Sequence, residues 1–528
     1  MTSYYTFARM DTGSPAHKRI RMAVYLLMTL FVTYCGLLLK DTFYGDPSIY
    51  FVFAKNLAAG LGLSYNPGEF SSGATSPLWV CLLSIPFHFE DSVFFAKTIG
   101  LGLTILAALF LLNTLERAMP VLIAAAATLG FLQFLLLPGL LLYESPLAVL
   151  AVCGMLRLQN NLERTDHRGQ DGMLRILAVV WGLLPLIRPD AVILSGVQAL
   201  LLYLQTPAYR KRITLLLPLS LLPFAIYCAL SFIKTGQWSA AGVCRAFALQ
   251  ESAKTIFGFH YTLQPLRFLF TGPMAIWSLL ALWGFVTGPS SGSVFQRFVW
   301  LPPALYLLMM MFLSPVTKSI GRYLLPALPF LFIGSGIGLY SLVQGVEGKK
   351  RLLFGMGVMA FLLFQIEALY DDSIRYEQKR GLHFDIIMEK EVIARVNRMA
   401  AAGQTVLAYE VQDRFFLRED LNILSLDGIV DGKVAPYLAA SDLSGFLKAY
   451  RPDYWLANEA VRYRPYLSKS LLRAVLDTVS AVQGASATVD GITFTLVEKI
   501  ETPPLPGFAG CKGIYRLSYH TPVTPVHP

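Results

Sequence analysis

Long apolar runs separated by short clusters of Lys and Arg fill the chain up to about Leu369, and they constrain its fold more than any other feature. A hydrocarbon layer leaves backbone polar groups no partner but the segment's own, so such runs must be helices or closed barrels, and runs of this length are helices. Of the 528 residues, 55% are hydrophobic and only 15% charged, against roughly 25% charged in soluble proteins. The formal net charge of +10 does not imply a nucleic-acid partner. No basic stripe with interleaved aromatics occurs, and cytoplasmic loops of membrane proteins collect Lys and Arg in any case.

The basic clusters set an orientation. Lys18, Arg19 and Arg21 precede the first run and place the N-terminus in the cytoplasm. Arg164 and Arg168, then Arg210, Lys211 and Arg212, then Lys349, Lys350 and Arg351 mark three further cytoplasmic loops. The first run is long for a signal segment, and no small-residue cleavage site follows it. The expected spans are 22–39, 76–89, 93–115, 118–129, 130–142, 145–160, 173–187, 191–205, 213–232, 266–286, 297–313, 322–343 and 352–370. A single helix over 118–142 would turn the Arg164 loop outward, so two short helices or a re-entrant pair are expected there, with Pro138 and Gly139 in irregular backbone. About thirteen spans then put everything beyond Leu369 outside the membrane.

The chain divides accordingly into a membrane domain, 1–371, with a first external loop at about 40–75, and an extracytoplasmic domain, 372–528. In the second, Ile386 to Ala401 has helical periodicity and Ser441 to Tyr450 reads as a helix. Thr405 to Tyr409, Leu421 to Leu426, Asp453 to Leu456 and, as the last strand, Ile492 to Leu496 read as strands, which predicts a small α/β domain. The six cysteines form no CxxC; Cys244 and Cys511 both face outside and could pair. No HExxH and no GxxxxGK[ST] phosphate loop occurs, so nothing points to ATP-driven transport.

The candidate chemistry lies on the external side. Asp41 and Asp46 follow the first run, Glu69 lies in the loop, and Glu144 stands in Tyr143-Glu144-Ser145-Pro146. Arg188 and Asp190 flank Pro189; Arg245 lies in the loop 233–264, and Arg322 in Gly321-Arg322-Tyr323. Ionisable groups at a membrane edge are costly and point to function. A carboxylate can take a proton from an attacking hydroxyl, and arginines can hold a departing phosphate. Asp46 also suits a helix N-cap, with Pro47 at the first helical position. Tyr65, Asn66 and Trp79 could contact a sugar; for Trp79, packing explains the residue at least as well.

One stretch is more specific than the rest. Asp46, Ile49, Phe51, Ala54, Asn56, Leu57, Gly60, Gly62, Leu63, Tyr65, Asn66, Pro67, Gly68 and Glu69, followed by Gly73, Thr75, Ser76, Pro77, Leu78 and Trp79, resemble the first external loop of bacterial GT-C glycosyltransferases. The resemblance is nearest to the arabinofuranosyltransferase-like group. Glu144, Arg188-Pro189-Asp190, Gly321 to Pro326, Leu426 to Val430, Val434 to Leu438 and Arg451 to Tyr454 extend it over most of the chain. It implies a multi-pass enzyme of the bacterial inner membrane that moves a sugar, with inversion, from a polyprenyl-phosphate donor to a glycan, lipid or protein acceptor on the outer side. Asp46 is then the base and Glu144 a second site acid. Arg322, Arg188 and Arg245 bind donor phosphate, and Asp190, Tyr65, Asn66, Glu69 and Trp79 contact substrate. Some relatives use a divalent metal and others none, which leaves a metal unknown. Val52 departs from the pattern, standing where relatives carry an arginine. The alternatives are a transporter or flippase of lipid-linked sugars, which would need inverted repeats not seen here, and a non-catalytic membrane scaffold.

Overall fold

The computed structural model describes residues 15–40, 42, 46–116, 119–162, 167–239, 263–287, 294–313, 320–346, 349–368, 385–408, 417–426, 428–457, 472, 475, 477, 485–500 and 512–520. Arg245, Cys244, Cys511 and Asp41 lie outside them, and Asp46 is described by its backbone alone.

A helical bundle carries a C-terminal mixed sheet. Its helices, in chain order, are α1 (Pro15–Leu38), α2 (Asp46–Ala58), α3 (Pro77–Ser84), α4 (Ser92–Leu115), α5 (Val121–Leu140), α6 (Ser145–Leu162), α7 (His167–Ile187), α8 (Val192–Gln205) and α9 (Arg210–Thr235). Then come α10 (Gln264–Phe270), α11 (Gly272–Thr287), α12 (Val294–Leu313), α13 (Ile320–Leu324), α14 (Leu328–Gln344) and α15 (Lys349–Ala368). Among the described residues, five helices are long and apolar enough to cross a membrane unaided, and α10 with α11, bent by 84°, forms either a broken sixth span or a re-entrant loop. Shorter apolar helices pack among them.

Three expected spans are corrected. Residues 118–142 form one helix, α5, with Pro138 inside its last turn and most of its surface buried among neighbours. Pro138 has no N–H to offer the carbonyl four residues back, and the helix ends two residues later. The backbone turns only afterwards, at Leu142 (φ 69°). Residues 76–89 form α3 and a 3₁₀ turn over Ile85–His88. Eight α-helical residues rise about 12 Å, against a hydrocarbon layer of about 30 Å, so this segment does not cross alone. Removing two crossings leaves the parity of the expected topology unchanged. Two ion pairs agree with that parity. Arg21 at the start of α1 meets Glu116 at the end of α4 (2.8 Å), and Arg212 at the start of α9 meets Asp171 near the start of α7. The expected spans 266–286 and 322–343 are each broken, at Thr271 and around Pro326.

The C-terminal part has α16 (Asp385–Met399), β1 (Thr405–Ala408), β2 (Asn422–Ser425), α17 (Ala435–Ala439), α18 (Leu443–Tyr450), β3 (Tyr454–Ala457), β4 (Ser486–Val489), β5 (Ile492–Ile500) and β6 (Lys512–Tyr519). The sheet order is β2-β1-β3-β6-β5-β4, parallel from β2 to β3 and antiparallel beyond. The strand over Ile492 is therefore not the last. β6 follows it and enters between β3 and β5, where Ile514 and Tyr515 are buried.

The polar segment after α1 is not a free loop. Phe51, Phe53, Tyr65, Trp79 and Val80 share one buried core with Val392, Val396, Val406, Ile423, Tyr454 and Ile514 of the sheet part. α2 is buried on almost every side. Val52, in the position of the relatives' arginine, belongs to this core.

Candidate active site

Three chain turns meet at one end of the bundle. The first is the turn from α5 into α6, which carries Tyr143 and Glu144. The second, from α7 into α8, carries Arg188 and Asp190. The third, α13, carries Arg322 and Tyr323. Residues of the 64–79 stretch fix two of them. The indole N–H of Trp79 donates to the Leu142 carbonyl at 3.1 Å, two residues before Glu144. The Ser76 hydroxyl donates to the carbonyl of Ile187, the residue before Arg188. Trp79 is fully buried. The Gly-x-Thr-Ser-Pro-Leu-Trp stretch thus sets the backbone that presents the charges.

Those charges form a closed network. Arg188 Nη1 donates to Glu144 Oε1 at 2.9 Å. Its Nε and Nη2 bond both oxygens of Asp190, at 3.2 and 2.9 Å. Tyr306 of α12 donates to Asp190 Oδ2 at 2.5 Å, and its oxygen lies 2.9 Å from the Tyr323 carbonyl. The Arg188 and Glu144 side chains are only 4% and 7% exposed. Two carboxylates around one guanidinium satisfy charges that would be very costly alone at this depth. The second oxygen of Glu144, Oε2, is buried and has no partner among the described residues.

Arg322 lies beside this network. Its guanidinium stacks 4.5 Å from the Tyr143 ring and 5.0 Å from the Tyr323 ring, and Nη2 donates to the Tyr323 hydroxyl at 3.0 Å. Tyr323 also faces Arg188, at 5.1 Å. Such stacking orients the guanidinium without itself neutralising it.

α2 brings a fourth element close to these charges. Asp46 opens it, and Tyr50 stands one turn later at i+4, which puts the two positions on one helix face. The Tyr50 hydroxyl shares a hydrogen bond with Thr75 (3.1 Å). Burial raises its pKa, the Glu144 charge adds to the rise, and Thr75, Arg322 and Ser76 offset part of it. A phenol so placed stays protonated and is a hydrogen-bond donor. Sequence reasoning passed over Tyr50, Tyr306 and Tyr323. The i+4 spacing from Asp46 marks the first and the Gly321 to Pro326 stretch carries Tyr323, but nothing local marks Tyr306, which the fold brings in from α12.

Three expected substrate contacts stand elsewhere. The Asn66 carboxamide donates to the Ile423 carbonyl and accepts from the Ile423 N–H, both at 2.9 Å. It pairs with the free edge of β2 as a neighbouring strand would. Glu69 meets Lys433 at 2.5 Å and accepts from Asn66 at 3.2 Å. Tyr65 packs against Phe53 with ring centres 5.5 Å apart. Close by, the Ser71 hydroxyl donates to the Val430 carbonyl, and a Cβ on Gly73 would come 2.4 Å from Val430 Cα. Only glycine allows that approach. Gln237, just beyond α9, bonds the Gly432 carbonyl at 3.2 Å, so residues 428–433 are gripped from two sides. Among the described residues no three His, Cys, Asp or Glu side chains gather to hold a metal.

No family model and no curated protein matches the chain. Solved structures do. ArnT from Cupriavidus metallidurans in the apo state aligns at TM-score 0.60 and 10% identity, over 95% of this chain and 98% of its own. The same protein bound to undecaprenyl phosphate aligns at 0.60 and 9%, over 93% and 97%. The Archaeoglobus fulgidus oligosaccharyltransferase tethered to an acceptor peptide aligns at 0.54 and 11%, over 84% and 70%. The chain has the GT-C fold. Near-complete coverage of both ArnT structures includes the sheet part, so the C-terminal domain belongs to the shared architecture.

Proposed function

We propose that this protein is a membrane glycosyltransferase that uses a polyprenyl-phosphate sugar and works on the outer side of a bacterial inner membrane. One observation carries the reading. Glu144 is clamped by Arg188 with its second oxygen unpartnered among the described residues, at the bundle end where α2 brings Tyr50 and where Arg322 stacks on Tyr143. The ArnT neighbour's capture of undecaprenyl phosphate in the same fold supports a lipid-phosphate donor.

In this reading Asp46 takes the proton of an acceptor hydroxyl as its oxygen bonds the anomeric carbon. The bond from that carbon to the phosphate oxygen breaks on the opposite face, and polyprenyl phosphate leaves with the electron pair. Glu144 Oε2 accepts a hydrogen bond from a sugar or acceptor hydroxyl, and Tyr50 donates one. Arg322 takes the departing phosphate, because Arg188 already serves two carboxylates. The basic clusters give the orientation, cytoplasmic at Arg21 and Arg212 and external at Glu144. Arabinofuranose is the first sugar to seek, on the sequence resemblance alone.

Mass spectrometry of lipid-linked sugars and envelope glycans, with and without the protein, tests this. Loss of the protein, or Asp46→Asn at wild-type abundance, should abolish one glycan product and raise one polyprenyl-phospho-sugar. Full transfer by Asp46→Asn would remove Asp46 as the base. Translocation of a lipid-linked sugar without any new glycosidic bond would replace the enzyme by a transporter.

A further inference from the structure

Lys97 lies in the second turn of α4, half-buried, and its ammonium donates to three backbone carbonyls. One is Leu39, at the end of α1 (3.3 Å), one is Leu140, at the end of α5 (2.7 Å), and the third is Thr42. The last carbonyls of a helix have no partner within it, and the helix C-terminus carries partial negative charge. One ammonium has three donors, so Lys97 satisfies two helix ends and the chain beyond one of them. A lysine buried this way in an apolar helix is costly and calls for a reason.

The sequence positions of its partners supply one. Thr42 stands four residues before Asp46, and Leu140 four residues before Glu144. The two chain segments that lead to the two acids are therefore tied to one atom. One turn along α4 the packing continues, since a Cβ on Gly100 would come 2.7 Å from Leu142 Cδ2. On the other side Trp79 fixes the carbonyl of the same Leu142.

We infer that Lys97 is a positioning residue that sets the spacing between the Asp46 and Glu144 segments. The inference rests on the transferase reading for its effect on activity, but its structural content stands apart from it. Lys97 holds no substrate in this account; it fixes the frame in which two carboxylates face one sugar.

Full-length Lys97→Met, which keeps the apolar stem and removes all three donors, is compared with wild type in nanodiscs. Lys97→Arg serves as the conservative rescue and Gly100→Ala as a packing control. Hydrogen exchange should rise at least tenfold in peptides containing Thr42 and in those covering 141–145 of Lys97→Met, while Lys97→Arg keeps part of the protection. Binding of undecaprenyl phosphate should stay within twofold of wild type, while glycan product in cells falls tenfold or more. Gly100→Ala should disturb 141–145 and spare Thr42. Unchanged exchange at either segment in Lys97→Met overturns the inference. So does loss of undecaprenyl phosphate binding with exchange unchanged, which would make Lys97 a phosphate ligand. Coupled exchange changes in a protein whose wild type makes no glycosidic product would retain the positioning role and reject the transferase.

Discussion

Glu144 and Asn66 are both polar residues of motifs that resemble one enzyme family, yet they do different work. Glu144 stands in a charge network sealed among helix ends, with one oxygen bonded to Arg188 and the other unpartnered among the described residues. Asn66 spends its carboxamide on the edge of a strand more than three hundred residues away. The difference teaches that a polar motif in a membrane protein can leave a buried oxygen free of the scaffold or hold a domain against the bundle. Hydrogen-bond satisfaction separates the two. A saturated side chain is scaffold, whereas a buried oxygen left over at a cleft is a candidate for substrate.

Breaking the sealed network should have the largest effect. Arg188→Met leaves Glu144 a buried carboxylate without its cation and takes the same cation from Asp190, a loss of about 3–5 kcal/mol. Thermal unfolding followed by size-exclusion fluorescence should show little folded protein, and a normal melting curve would mean that the network is not what holds the three turns. Asn66→Ala removes two hydrogen bonds to Ile423 and leaves its N–H and carbonyl unpaired, at about 1–3 kcal/mol. Here the expected change is local: faster proteolysis of the C-terminal domain and faster exchange at 422–424, with undecaprenyl phosphate binding unaltered.

A pH series sharpens the comparison at the seam. Burial raises the Asp431 carboxyl to about 6, partly offset by the Lys433 N–H and charge and by the Ser425 N–H. A carboxyl whose folded value lies above its unfolded one costs stability above that folded value. The cost fades as pH falls from about 6 toward the ordinary carboxylate range near 4. Asp431→Asn should therefore stabilise the seam at pH 7.5, by ~1–2 kcal/mol, and this gain should vanish near pH 4. Glu69 runs the other way. Burial would raise it, but the hydrogen bond and charge of Lys433, with Asn66, outweigh that and lower it. Its contribution is present above the ordinary Glu value and lost as pH falls through the lowered one. The pair is half-exposed at Glu69, so Glu69→Gln should cost at most about 1 kcal/mol. A larger loss would assign the pair more of the docking than its exposure allows.

The bundle was legible in the sequence because lipid imposes a single rule on every apolar run. The helix breaks were less so. Pro138 suggested a break that packing around α5 overrode, and the short run at 76–89 had the composition of a span without the length. The sheet part was legible as alternating strands and helices, but β6 pairs not only with its sequence neighbour β5 but also with the distant β3, which no local pattern marks. Charge placed Glu144, Arg188, Asp190 and Arg322 at one membrane face, and the fold brings them together. The roles of Asn66 and Glu69 were not legible, since their partners Ile423 and Lys433 lie beyond any local pattern.

The comparison between Glu144 and Asn66 rests on glycan product per folded molecule, measured by mass spectrometry for Glu144→Gln and Asn66→Ala side by side. Glu144→Gln keeps an acceptor for Arg188 and should stay folded yet lose at least a hundredfold in product, while Asn66→Ala should keep product within a few-fold. Wild-type product from folded Glu144→Gln, or none from Asn66→Ala with its C-terminal domain still docked, would contradict the account.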